Sequence, residues 1–117
     1  MKVIIIEDEI PAANQLTKLL HGISDDIEVI KKLDSVATAV QYFQTASPAD
    51  LIFMDIQLAD GLSFDIFLQV PVKAPVIFTT AFDKYTLKAF KVNSIDYRLK
   101  PIDEEEPRLA VEKYRHV

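Results

Sequence analysis

Leu51-Ile52-Phe53-Met54-Asp55 is an apolar run closed by a carboxylate, and the chain opens on the same pattern in Val3-Ile4-Ile5-Ile6-Glu7-Asp8. An uninterrupted apolar run of this length, without polar alternation, reads as a strand buried on both faces, the mark of a parallel sheet covered by helices. Two later stretches have the same form. Val76-Ile77-Phe78 runs into Thr79-Thr80-Ala81, and Ile95-Asp96-Tyr97-Arg98-Leu99 runs into Lys100-Pro101. In α/β folds the chemistry gathers just beyond the carboxyl ends of the strands. Carboxylates, hydroxyls and one ammonium therefore converge on a single sheet edge, a set suited to phosphate and a hard metal ion.

Working outward, helices fill the gaps between the strands. Pro11, tolerated in a first helical turn, opens a helix to about His21 with Leu16, Leu19 and Leu20 on one face, and Gly22 is expected to end it. Residues Ile27 to Leu33 read as a second strand. Ser35 is an N-cap for a second helix with Val36, Val40 and Phe43 as its inner stripe, closed by Ser47-Pro48. The third strand is Asp50 to Met54. Asp60-Gly61 signals a turn, and Ser63 is expected to cap a short helix ending before Pro71. Pro75 introduces a fourth strand, Asp83 caps a helix carrying Leu87 and Phe90, residues 95–99 form the fifth strand, and Asp103 to Tyr114 the last helix. Five βα units imply right-handed crossovers with helices on both faces: an α/β, doubly wound, five-stranded parallel sheet. The order 2-1-3-4-5 suits five strands and places its switch point between strands one and three, the two with acidic ends.

Composition narrows the function. The chain has 117 residues and is 50% hydrophobic, enough for one core and one domain. Thirteen Lys and Arg against eighteen Asp and Glu give a net charge of −5, which disfavours direct grip on a nucleic-acid backbone. The absence of cysteine excludes disulfides and thiolate metal sites and is compatible with a cytoplasmic setting. Glu7-Asp8-Glu9 interrupts the first apolar run well short of a signal-peptide core, and no run is long enough for a membrane span. With Gly22 and Gly61 the only glycines, no glycine-rich dinucleotide loop can follow the first strand.

The pieces Ile6-Glu7-Asp8-Glu9, Met54-Asp55-Ile56, Thr79-Thr80-Ala81 and Asp96-Tyr97-Arg98-Leu99-Lys100-Pro101, taken in order and spacing, give the chain a resemblance. It resembles a response-regulator receiver domain of two-component systems, a flavodoxin/CheY-like fold, over essentially its whole length. Phe78-Thr79-Thr80-Ala81-Phe82-Asp83, Lys88-Ala89-Phe90 and Lys100-Pro101-Ile102-Asp103 are similar to the LytR/AlgR subclass, whose output domains are of the LytTR type. The resemblance implies that Asp55 is the phosphoacceptor, taking a phosphoryl group from a sensor histidine kinase with Mg²⁺ present. Asp8 and Asp55 would be direct metal ligands, Gln57 would add its backbone carbonyl, and Glu7 would act through water. Lys100 would pair with the Asp55 carboxylate and then with phosphoryl oxygens, aimed by a cis bond to Pro101. Thr80 would donate its hydroxyl to the phosphoryl group, and Tyr97 would be the aromatic switch that turns inward as Thr80 moves.

Two positions depart from the pattern. Ala59 stands where many receivers have proline, which loosens the loop holding Gln57, and Arg98 stands where the family usually has an aliphatic residue. The expected role is a phosphorelay switch that catalyses only its own phosphorylation and dephosphorylation. Its output surface would be the fourth helix, fifth strand and fifth helix, controlling homodimerisation or an attached domain. Residues 1–117 are expected to be the receiver portion of a longer transcription regulator, touching DNA only through an output domain outside this chain. Two alternatives remain on sequence: a phosphorylation-independent degenerate receiver, and a haloacid-dehalogenase-type phosphohydrolase. The latter needs a second Asp where Gln57 stands.

Overall fold

In the computed structural model the described residues are 1–45, 49–80, 94–99 and 111, with the main chain alone described for 80 and 94–99. The elements run β1 (Lys2–Ile6), α1 (Ile10–Ile23), β2 (Glu28–Leu33), α2 (Val36–Thr45), β3 (Leu51–Asp55), a small hairpin of β4 (Gln57–Leu58) and β5 (Gly61–Leu62), α3 (Phe64–Gln69), β6 (Val76–Thr80) and β7 (Ser94–Leu99). The main sheet has the order β2-β1-β3-β6-β7 with every pair parallel. Setting the hairpin aside, this is the expected 2-1-3-4-5 arrangement.

The apolar runs are continuous because both faces of the sheet are covered. Ile4, Ile6, Ile52, Met54 and Phe78 join the core that α2 and α3 cover, whereas Val3, Ile5, Leu51, Phe53 and Ile77 join the one that α1 covers. Helical Val111 packs into the second core. Every residue of β3 is buried, Asp55 included. Each large apolar side chain so buried contributes roughly 1.5–3 kcal/mol relative to exposure. On the α3 face Phe78 meets Phe64 and Phe67 with ring centroids 5.3 and 6.1 Å apart, in tilted geometry.

The exposed edge strand β2 is interrupted. Against β1 the register passes from Val3↔Val29 to Ile4↔Lys31, so Ile30 is an extra, bulged residue. A bulge flanked by charged side chains blunts an edge that would otherwise invite pairing with another chain.

Two helix-end expectations are overturned. Gly22 does not stop α1, which continues to Ile23; Gly22 lacks the positive φ of a glycine cap, and Ile23 packs against the core under α1. Ser63 does not cap α3. Its backbone is already helical at φ −62° and ψ −20°, and its hydroxyl is buried without bonding the helix. Ser35 does cap α2: its Oγ accepts from Thr38 N–H at 3.0 Å, and its own N–H donates to Thr38 Oγ1 at 3.2 Å. This is the reciprocal pattern of a capping box, with Thr in the third helical position. Asp60-Gly61 is the expected turn: Leu58 pairs with Gly61 around Ala59-Asp60, and Gly61 has φ +147°. Ser47-Pro48, the helix from Asp83 to Phe90, and the last helix apart from Val111 lie outside the described residues.

Candidate functional site

The sheet register assembles the site. Ile6 is level with Met54, and Met54 with Phe78, so the next residues along, Glu7, Asp55 and Thr79, emerge side by side at the carboxyl edge. That edge lies at the switch point, where β2 and β3 flank β1 on opposite sides. Ladder continuity extends past the strand ends: Glu7 N–H donates to Leu33 O at 2.9 Å, and Ile56 N–H to Thr79 O at 3.0 Å. The sheet ladder thus continues through Glu7 and past Asp55 into the residues that carry the site.

Glu7, Asp8 and Asp55 bring one carboxylate oxygen each within 4.8 Å of one another. Glu7 is 8% exposed and Asp55 5%, with Asp8 more open to solvent. Partial burial strengthens the mutual repulsion of clustered carboxylates, and a divalent cation relieves it. The donors are all hard oxygens, so the set fits Mg²⁺ or Ca²⁺ rather than a soft thiophilic metal. Local hydrogen bonds orient Asp55 and Glu7. Asp55 Oδ1 accepts from Gln57 N–H at 3.2 Å, and Glu7 Oε2 accepts from Glu9 N–H at 3.2 Å.

The remaining expected site residues are placed in part. Thr80 closes β6 one residue beyond Thr79, which is level with Asp55, and Thr80 is itself level with Leu99 of β7. Tyr97 is level with Phe78 and Arg98 with Thr79. The side chains of Thr80, Tyr97 and Arg98, and all of Lys100 and Pro101, lie outside the described residues. Thr79 is buried and its carbonyl serves the ladder, as expected of a strand residue.

Sequence reasoning took Asp60 as a turn residue only. The structure gives it a second task, because its Oδ1 accepts from Val36 N–H at 2.8 Å and its Oδ2 from Ala37 N–H at 3.0 Å. These bonds, first from Val36 and then from Ala37, hold the Asp60 carboxyl below the usual Asp value. An open groove of about 550 Å³ follows the β2 edge past Lys31, Lys32 and Tyr42, and of the acidic cluster it touches only Glu7. It therefore adjoins the three-carboxylate centre at Glu7 and runs away from Asp8 and Asp55.

The model of the response regulator receiver domain matches residues 3–112. The chain belongs to the receiver domain family. Among curated relatives, the sensory transduction protein LytT of Enterococcus faecalis is 40% identical over 97% of this chain and 47% of its own length. LytT of Bacillus cereus is 37% identical over 98% of this chain and 47% of its own. The receiver thus spans about half the length of the curated relatives it matches, and they bear out the resemblance to the LytR/AlgR subclass. Among solved structures, the response regulatory domain of mrkE from Klebsiella pneumoniae superposes with a TM-score of 0.84 at 31% identity, covering 99% of this chain and 96% of that one. No described helix of the receiver is long and apolar enough to cross a membrane.

Proposed function

We propose that this receiver is a phosphorylation switch in which Asp55 accepts a phosphoryl group from a sensor histidine kinase. The observation that carries the reading is the convergence of Glu7, Asp8 and Asp55 at adjacent strand ends, with their oxygens within 4.8 Å. In the reaction an Asp55 oxygen attacks phosphorus, the phosphorus–nitrogen bond of the phosphohistidine breaks, and the imidazole leaves with its electron pair. The product is an acyl phosphate on Asp55. Bound Mg²⁺ would supply charge neutralisation for the anionic reactants. Asp8, Asp55 and the Gln57 carbonyl would hold it directly and Glu7 through water. Gln57 N–H orients the Asp55 carboxylate, and the buried position of that carboxylate limits access of bulk water.

The Lys100 ammonium would pair with Asp55 and then with the phosphoryl oxygens, and the Thr80 hydroxyl would donate to the same group. Thr80 and Tyr97 would carry the change to β7 and the segments beside it, shifting a surface that controls homodimerisation or an attached domain. The receiver catalyses only its own modification in this scheme and works in the cytoplasm. The relatives' double length supports a longer regulator with a LytTR-type DNA-binding output domain, which would supply the DNA affinity that this acidic chain lacks.

The test is intact mass after incubation with acetyl phosphate and Mg²⁺. The native chain should gain one phosphate and Asp55→Asn none. Equal labelling of the variant would place the phosphoryl group elsewhere and leave a phosphorylation-independent interaction module as the better account of Asp55.

A further inference from the structure

The loop after Asp55 is fastened at two ends, and the far end is fastened to a helix. At the near end Gln57 N–H is bonded to Asp55 Oδ1 at 3.2 Å. At the far end the Asp60 carboxylate spans the first two N–H groups of α2, Val36 at 2.8 Å and Ala37 at 3.0 Å, across 24 and 23 residues of sequence. An α-helix leaves its first four N–H groups without intrahelical acceptors. Of the four here, Thr38 N–H donates to Ser35 Oγ and Ser35 N–H to Thr38 Oγ1, so the two that remain are the two Asp60 accepts. A carboxylate there is further favoured by the helix dipole.

Between these ends the arm is short and resists relaxation. Leu58 pairs with Gly61, leaving Ala59 and Asp60 as the whole turn, and Gly61 has φ +147°, outside the range that L side chains readily adopt. Ala59 has no ring to fix its φ, so stiffness at the tip depends on what holds Asp60.

We infer that Asp60 is a positioning residue for the metal centre: by clamping the Ala59-Asp60 turn to the N-terminus of α2, it holds the Gln57 main chain against the acidic cluster and thereby sets cation affinity. This inference rests on the proposed reading of the Gln57 carbonyl as a Mg²⁺ ligand. It also makes α2 part of the apparatus around Asp55. Supports of ligating groups commonly matter nearly as much as the ligands.

The rival account is that Asp60 only steadies α2. Ser35 separates the two, because its hydroxyl caps the same helix end but, among the described residues, bonds Thr38 and not the loop after Asp55. Mg²⁺ titration of the 117-residue chain, followed by calorimetry and by the amide shifts of Asp55 and Gln57, is run beside urea unfolding of each variant. Asp60→Ala should raise the Mg²⁺ dissociation constant about tenfold or more, while Ser35→Ala, with a comparable loss of stability, stays within about twofold of native. Asp60→Asn, which keeps one acceptor oxygen, should fall between them. Native affinity in Asp60→Ala overturns the inference, and so does equal weakening in Ser35→Ala. If Asp60→Ala does not fold, Asp60→Asn decides, and native affinity there overturns it as well. Failure of the native chain to bind Mg²⁺ would instead refute the metal reading on which the inference rests.

Discussion

Asp55 Oδ1 accepts a hydrogen bond from Gln57 N–H at 3.2 Å, so the proposed phosphoacceptor and the proposed carbonyl ligand two residues on are tied together within one short segment. Mg²⁺ should therefore stabilise the fold through both at once. A ligand that binds only the native state adds about 2.7 kcal/mol at a concentration one hundred times its dissociation constant. Thermal midpoints with and without Mg²⁺ should differ for the native chain and coincide for Asp8→Ala. Retention of the full shift by Asp8→Ala would remove Asp8 from the ligand set.

Ser63 offers a test that is independent of phosphorylation. Its Oγ is fully buried and, among the described residues, has no hydrogen-bond partner. Leaving a buried hydroxyl unsatisfied costs about 1–3 kcal/mol, whereas an apolar group of similar shape costs nothing of this kind. Ser63→Ala should be neutral or more stable by about 1 kcal/mol in urea unfolding. A clear destabilisation would mean that the hydroxyl makes a bond in solution.

The Asp60 clamp gives the protein an acid-side dependence whose sign is fixed. Because its bonds to Val36 and Ala37 depress the folded-state value, the stabilisation is fully present above the ordinary Asp range and is lost as pH falls through the depressed folded value. Asp60 is largely exposed, so the effect is modest and screened by salt. Thermal midpoints of native protein and Asp60→Asn should differ most near neutrality and approach one another as pH drops below the Asp range. A gap that widens toward acid would contradict the clamp.

How far the sequence could be read follows from the range of each interaction. The strands were legible because burial on both faces leaves no polar alternation: Ile4 to Ile6 and Leu51 to Met54 are all essentially inaccessible. Ser35 was legible because its partner lies three residues away. Gly22 misled because a glycine near a helix end signals a cap only when the chain turns left-handed there, and here Ile23 gains more by packing against the α1-side core. Ser63 misled for the converse reason, since its backbone joins the helix and the hydroxyl goes inward. The Asp60 bond to α2 left no local trace, because it joins residues 24 apart through a fold that had to exist first. That Glu7, Asp8 and Asp55 should meet followed from their places at the ends of the first and third strands, and the β1/β3 register adds the geometry, with their oxygens within 4.8 Å.

Asp55 is level with Thr79 across β3 and β6, and the next residue, Thr80, is level with Leu99 across β6 and β7. Two adjacent ladders thus connect the proposed phosphoacceptor to the strand carrying Tyr97, with Thr80 at the step between them. If the Thr80 hydroxyl bonds a phosphoryl oxygen, its removal deletes one hydrogen bond to a charged group, worth about 1.5–3 kcal/mol. That corresponds to roughly tenfold or more in the ratio of active to inactive conformations. The carboxylate that reacts is untouched, so Thr80→Ala should still gain phosphate on Asp55. Its amide shifts over residues 83–99 on adding beryllofluoride, a phosphoryl mimic, should be a fraction of the native ones, and any mimic-induced dimer seen by sedimentation should weaken in step. A response in Thr80→Ala as large as in the native chain would show that the signal reaches β7 without Thr80, leaving the Asp55–Thr79 ladder and the Asp60–α2 clamp as the remaining described routes out of the site.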